Sequence, residues 1–184
     1  MEAAGSAEDA DGEAHGDGLN GARIIAAIKA SRIEYVLSVP DIVTSAGLLR
    51  PIAQDKELKL IRVCKEDECV GIASGLSYCD IRALILIQHT GFLDSLNAIR
   101  GVAVEYKQPI CMMVGLLAHD PEKAPRQSPK YGVRILEPIM DDMGIVHHLI
   151  NEDAHIAKIQ PAIDKAYGES QPVAFLIGRS PAAS

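Results

Sequence analysis

Arg82-Ala83-Leu84-Ile85-Leu86-Ile87-Gln88 sets five aliphatic residues in a row between an arginine and an amide. A strand with one face in water alternates apolar and polar side chains, whereas a run without alternation is buried on both faces. This segment therefore predicts a central strand of a parallel sheet. Similar runs follow it at Pro109–Leu116 and Val173–Ile177, with further candidates at Tyr35–Val39, Leu58–Cys64 and Val146–Ile150. Helical patterns separate them. Asn20 is placed to cap a helix carrying Ile24, Ile25 and Ile28 on one face, and further helices are expected at Val43–Gln54, Glu66–Cys79, Asp94–Glu105, Ile135–Met143 and Ala154–Tyr167, the last kinked at Pro161. Strands alternating with helices imply an α/β fold: a doubly wound, mostly parallel six-stranded sheet with helices on both faces. Ligands bind such sheets at the carboxyl ends of the strands. The turns of interest thus follow Val39, Cys64, Gln88 and Leu116, and they present Asp41, the acids Glu66-Asp67-Glu68, Gln88-His89, and His119.

Composition narrows the function classes. The chain has 184 residues, 48% of them apolar, with no Trp and two Phe, so its core is aliphatic. The net charge of −7 is uneven: residues 1–18 hold six acids and no Lys or Arg. Without them the chain is nearly neutral, which leaves no basic footprint for nucleic acid. That acidic Gly/Ala/Ser segment has too little apolar surface to repay ordering and is expected to be a disordered tail, with one domain spanning 19–184. The longest apolar run, Ile110–Ala118, is about half a membrane span, and the acidic start does not resemble a signal peptide; a cytoplasmic protein is expected. Cys64, Cys69, Cys79 and Cys111 form no C-x-x-C pair and are read as reduced, small hydrophobes. His147-His148 lies in a predicted strand, where adjacent side chains point to opposite faces and cannot act as a pair.

The stretch Glu66-Asp67-Glu68-Cys69-Val70-Gly71-Ile72-Ala73-Ser74-Gly75-Leu76, followed by Arg82 to Gly91 and then Ser95-Leu96-Asn97-Ala98-Ile99, is specific as a whole. It resembles the pyrimidine-binding domain of thiamine-diphosphate enzymes, and within these the sulfopyruvate decarboxylase alpha subunits and the amino-terminal halves of phosphonopyruvate decarboxylases. That family's pattern is an acid, G-I-A-x-G, and a strand ending Q-N-S-G-x-G-N-S-x-N-A. The resemblance covers roughly residues 20–180. In the family the acid stands nine residues before the second helix glycine; counting back from Gly75 gives Glu66. Glu68, two residues on, is turned about 200° away on a helix. The chain departs from the pattern at Leu93, where the family has its second glycine, and at Asp94, where it has Asn.

The resemblance implies that Glu66 is the carboxyl group that bonds the cofactor's pyrimidine nitrogen and favours the imino tautomer that takes the C2 proton. Gln88 and Gly91 are implied to flank the cofactor, and Asp41 and His119 to handle protons beside the reacting carbon. No diphosphate and Mg²⁺ motif is found: Gly16-Asp17-Gly18 imitates its GDG start, but no Asn follows at the required spacing. The resemblance therefore implies half a site, completed in a hetero-oligomer by a beta subunit with the GDG…N motif that binds Mg²⁺ and the diphosphate. The implied activity is a carboxy-lyase converting sulfopyruvate to sulfoacetaldehyde and CO₂. The alternatives are a subunit for phosphonopyruvate or another 2-oxo acid, or a non-catalytic partner of the same fold. The loop from His119 to Arg134 carries Lys123, Arg126, Lys130 and Arg134 against Asp120 and Glu122, so Arg126 or Arg134 is the expected sulfonate anchor, with Gly132 as a hinge.

Overall fold

The computed structural model describes residues 18–183. The tail expected at 1–18 lies, apart from Gly18, outside the described residues. Six strands form one parallel sheet in the order β2-β1-β3-β4-β6-β5. They are β1 (Tyr35–Ser38), β2 (Lys59–Arg62), β3 (Ala83–Gln88), β4 (Cys111–Gly115), β5 (Val146–Ile150) and β6 (Val173–Ile177). The expected doubly wound sheet is the one found, and every strand pair is parallel.

The aliphatic runs divide by strand periodicity. Leu84 and Leu86 of β3, Cys111 and Met113 of β4 and Phe175 of β6 point into one core, while Ile85, Ile87, Met112, Val114 and Leu176 point into the other. The first core is roofed by α1 (Gly21–Ala30), α2 (Arg50–Gln54, entered through the π-helical turn Ser45–Leu49) and α8 (Ile159–Glu169). The second is roofed by α3 (Glu66–Ser77), by α4 (His89–Asp94) and α5 (Leu96–Ala98) running on into the π-helical Ile99–Glu105, and by α6 (Tyr131–Arg134) and α7 (Leu136–Asp142). Each large aliphatic side chain buried this way contributes about 1.5–3 kcal/mol before entropy is counted. Asn20 caps α1 as expected, its side chain accepting from the Arg23 N–H at 3.0 Å.

Three local expectations are corrected. The helix after β3 begins at His89 rather than Asp94, because Gln88 stays extended and the chain then turns directly into α4. Pro161 is the third residue of α8, where its missing N–H has no intrahelical partner to lose, so it starts the helix instead of kinking one; Asp153–Lys158 before it is a 3₁₀ segment. Cys64 and Cys79 are exposed, whereas burial pushes the thiols of Cys69 and Cys111 up to about 12. No helix among the described residues is long and apolar enough to cross a membrane.

The last residues return to the start of α1: the Ala182 N–H donates to Leu19 O at 2.8 Å, and the Gly21 N–H donates to Ala182 O at 3.1 Å. Gly47 lies directly under this crossing. A Cβ there would come within 2.6 Å of the Pro181 carbonyl carbon, backbone that cannot swing aside. Gly168, in the exposed last turn of α8, has open space around it. Gly47→Ala should therefore lower the unfolding free energy by about 1–3 kcal/mol. Gly168→Ala should raise it by up to about 1 kcal/mol. Urea denaturation of the two variants checks the pair, and equal shifts would contradict the crossing.

Candidate active site

In the sheet order, β1 lies between β2 and β3, so the connections leaving β1 and β3 diverge and a crevice opens at their carboxyl ends. Asp41 sits in that crevice. It is 1% exposed, yet its carboxylate is satisfied. Oδ1 accepts from the Val43 N–H (3.0 Å) and Gln88 Nε2 (3.1 Å); Oδ2 accepts from the Thr44 N–H (3.2 Å) and Thr44 Oγ1 (3.0 Å). Gly115, at the end of β4, passes so near that any Cβ would collide with Oδ2. Asp41 thus folds its own turn and ties it to the ends of two further strands. Gln88, the last residue of β3, is held between Asp41 and Thr90, whose Oγ1 donates to Gln88 Oε1 at 2.9 Å.

Glu66 and Glu68 have different surroundings. Glu68 turns back to cap α3, its Oε2 accepting from the Cys64 N–H at 3.0 Å and the Lys65 N–H at 3.3 Å, which closes a capping box. Glu66 opens the same helix, and its carboxylate forms no hydrogen bond or ion pair among the described residues. It lies against Gly91: a Cβ on Gly91 would stand 2.5 Å from Glu66 Oε1 and 2.6 Å from Cδ. In this conformation the Glu66 side chain occupies the space that a Cβ on Gly91 would take. The structure also accommodates the departures at Leu93 and Asp94. Asp94 reaches Lys65 at 3.2 Å and ties the end of α4 to the start of α3, while Leu93 packs against the second core beside Gly132.

His89, which the sequence presents only as part of the turn after β3, joins the site. It is 7% exposed, and its Nδ1 accepts from the Leu117 N–H at 3.3 Å, which leaves the proton of the neutral ring on Nε2. The far edge of the ring faces Gly132. Gly132, within α6, thus lies beside the His89 ring. Burial pulls the His89 pKa below its ordinary value of 6.5, with the Gly115 carbonyl and the Asp41 charge acting in the opposite sense. His119 lies further along the rim. Its two ring nitrogens are buried with no partner among the described residues, and burial lowers its pKa too. The preceding residue, Ala118, holds a left-handed φ of 58°, a conformation that costs a non-glycine residue energy and that here aims the His119 turn.

The basic loop is more heavily paired than its composition implies. Lys123 pairs with Asp120 at 2.7 Å, and Arg126 pairs with Asp141 and with Glu137 of α7. Arg134 has no carboxylate partner among the described residues; it stacks over the exposed Tyr131 ring at 5.3 Å. Arg179, in the turn after β6, belongs to the same rim. Large apolar side chains crown this end of the sheet, with Ile42 73% and Tyr131 67% exposed. His147 and His148 do point to opposite faces, one toward Asp141 at 2.9 Å and the other stacked on Phe175. Among the described residues no group of His, Cys, Asp and Glu side chains is gathered that could hold a metal ion.

A histidine held neutral by burial makes stability depend on pH. The unfolded chain takes up the proton first as pH falls, so stability is full above about 6.5 and declines from there toward the lower folded pKa. Each unit between the two pKa values amounts to about 1.4 kcal/mol. Unfolding free energies measured between pH 7.5 and 5.5 should fall with acidification, and His89→Asn should flatten part of that slope; His119 and His148, lowered in the same sense, keep the remainder.

No protein-family model matches the chain. Among curated proteins, it is 29% identical over 151 residues to the sulfopyruvate decarboxylase subunit alpha of Methanocaldococcus jannaschii, covering 82% of this chain and 88% of that protein. The protein of the same name from Methanococcus maripaludis is 29% identical over 115 residues, covering 61% of this chain and 68% of the relative. That of Methanothermobacter thermautotrophicus is 29% identical over 91 residues, covering 50% and 54%. Over most of its length, then, the chain is similar to the alpha subunits of sulfopyruvate decarboxylase.

Proposed function

We propose that this chain is the alpha subunit of a thiamine-diphosphate-dependent 2-oxo-acid decarboxylase, that its substrate is sulfopyruvate, and that its domain from residue 19 onward binds the cofactor's aminopyrimidine. It works in a hetero-oligomer whose beta subunit supplies the GDG…N motif for the diphosphate and Mg²⁺. The observation that carries this reading is the Glu66 carboxylate, unpartnered and resting on Gly91 at the carboxyl rim. A carboxyl group left free there suits a ring nitrogen that needs a proton shared with it, and Glu68, occupied in capping, does not compete. The relatives' shared name supports both the substrate and the existence of a second kind of subunit.

When bound, thiamine diphosphate supplies the electron sink for loss of CO₂. The protein supplies position and proton control. Glu66 holds a proton at the pyrimidine. Gly91 keeps the approach to it open. Gln88 presents its amide from a fixed orientation between Asp41 and Thr90. Asp41 holds the first turn against β3 and β4, so any proton it handles passes by way of the Thr44 hydroxyl. His119, neutral near pH 7, can give or take a proton beside the reacting carbon. Exposed Ile42 and Tyr131 form an apolar rim on which the beta subunit can close and exclude water.

Co-purified alpha and beta subunits should release CO₂ from sulfopyruvate, and this chain alone, given cofactor and Mg²⁺, should not. Glu66→Gln should lower turnover of the pair by on the order of 10²–10⁴, while Glu68→Gln, which can still cap the helix, keeps most of it. Equal losses in the two variants, or full turnover by the single chain, would overturn the proposal.

A further inference from the structure

The cavity between the turns after β1, β4 and β6 has a volume of about 310 Å³, and its lining includes Ile42, Leu117, His119, Pro121, Gly178 and Arg179. Its polar groups are few and specific. The His119 ring lies against Gly178, where a Cβ would stand 3.4 Å from its Cδ2, so the imidazole adjoins the residue that carries Arg179. Both His119 nitrogens are buried, with no hydrogen-bond partner among the described residues. The guanidinium of Arg179 is fixed from beneath, Nε donating to the Asn151 carbonyl at the end of β5 at 3.2 Å. Asn151 in turn donates from Nδ2 to the Pro121 carbonyl at 2.9 Å, so the same residue holds both walls of the cavity.

The outward side of Arg179 already holds an anion. Its Nη2 meets Glu122 Oε1 at 2.6 Å, and the Glu122 side chain is 78% exposed while that of Arg179 is 33% exposed. An exposed glutamate on a half-buried, backbone-anchored arginine is the cheaper partner to displace. It gains little from the pair, because its carboxylate is nearly as well solvated in water. The arginine, fixed by Asn151, retains its planar fork for any oxyanion that replaces the glutamate. The other arginines of the rim differ. Arg126 is held by two acids of α7, and neither Arg126 nor Arg134 lines this cavity.

We propose that Arg179 is the specificity-determining residue for the substrate's tetrahedral oxyanion, a sulfonate or phosphonate on the third carbon of a 2-oxo acid, and that Glu122 occupies its place until the substrate displaces it. This deepens the decarboxylase reading and rests on it. The arrangement selects against uncharged tails, because such a tail leaves Arg179 bound to Glu122.

The test uses the assembled alpha–beta complex with cofactor and Mg²⁺. Two readouts are the KM for sulfopyruvate and the affinity, by titration calorimetry, for 3-sulfopropanoate, which carries both anionic groups but no keto carbon. Arg179→Gln should raise KM and weaken 3-sulfopropanoate about ten- to hundredfold with a smaller change in kcat, and Arg179→Lys should recover part of the loss. Glu122→Gln, a change to an exposed side chain that leaves the fold alone, should tighten 3-sulfopropanoate severalfold and lower KM. Turnover of sulfopyruvate with KM unchanged in Arg179→Gln, no tightening in Glu122→Gln, or a loss that follows Arg134→Gln instead would each overturn the assignment of Arg179 and leave the decarboxylase reading standing. A wild-type complex that neither turns over sulfopyruvate nor binds 3-sulfopropanoate would overturn both.

Discussion

The carboxylate of Asp41 is buried where the connectivity of the sheet reverses, and its oxygens accept from the Val43 and Thr44 amides, the Thr44 hydroxyl and the Gln88 side chain. Hydrogen bonds to a charged acceptor contribute roughly 1.5–3 kcal/mol each, and removing that acceptor would leave its buried donors unsatisfied. The rest of the rim is placed by this contact. It fixes the turn after β1, orients the amide that ends β3, and presses on Gly115 at the end of β4. From Gln88 the chain enters α4 directly, so His89 and Gly91 inherit positions set by Asp41. His89 then accepts from the Leu117 amide and holds the turn that leads to His119.

Glu66 is the converse case, a carboxylate that the fold leaves without a donor. Two acids stand two residues apart on α3, and the helix gives them opposite work: Glu68 satisfies the amides that α3 cannot, and Glu66 is left facing Gly91. Local repacking absorbs the departures at Leu93 and Asp94. Leu93 fills space beside Gly132 on the second core, and Asp94 exchanges an ion pair with Lys65. Neither change reaches the contact between Glu66 and Gly91.

Much of this was legible in the sequence because the physics is local. Unalternating runs such as ALILI can be satisfied only in a strand covered on both faces, and the strand periodicity that splits Leu84 and Leu86 from Ile85 and Ile87 follows from spacing alone. The register from Gly75 back to Glu66 is likewise a matter of counting. What stayed hidden depends on strand order. β6 is last in the chain but lies beside β4, inside the sheet, so the turn carrying Arg179 opens on the same rim as His119. An inspection limited to the first four strand ends passes over it. The basic composition of residues 119–134 was visible, but the acids that neutralise Arg126 come from α7, beyond the loop itself. His89 reads in sequence as one residue of a turn; only the approach of Leu117 and Gly132 gives its ring a function.

The central claim is that Glu66, and no other acid of α3, meets the cofactor. It is tested most directly by the rate at which the C2 proton of thiamine diphosphate exchanges for deuterium, followed by quenched-flow NMR in the alpha–beta complex without substrate. The account predicts fast exchange in the wild-type complex, exchange close to that of free cofactor in Glu66→Gln, and near wild-type exchange in Glu68→Gln. Fast exchange retained in Glu66→Gln, with the cofactor bound, would contradict it.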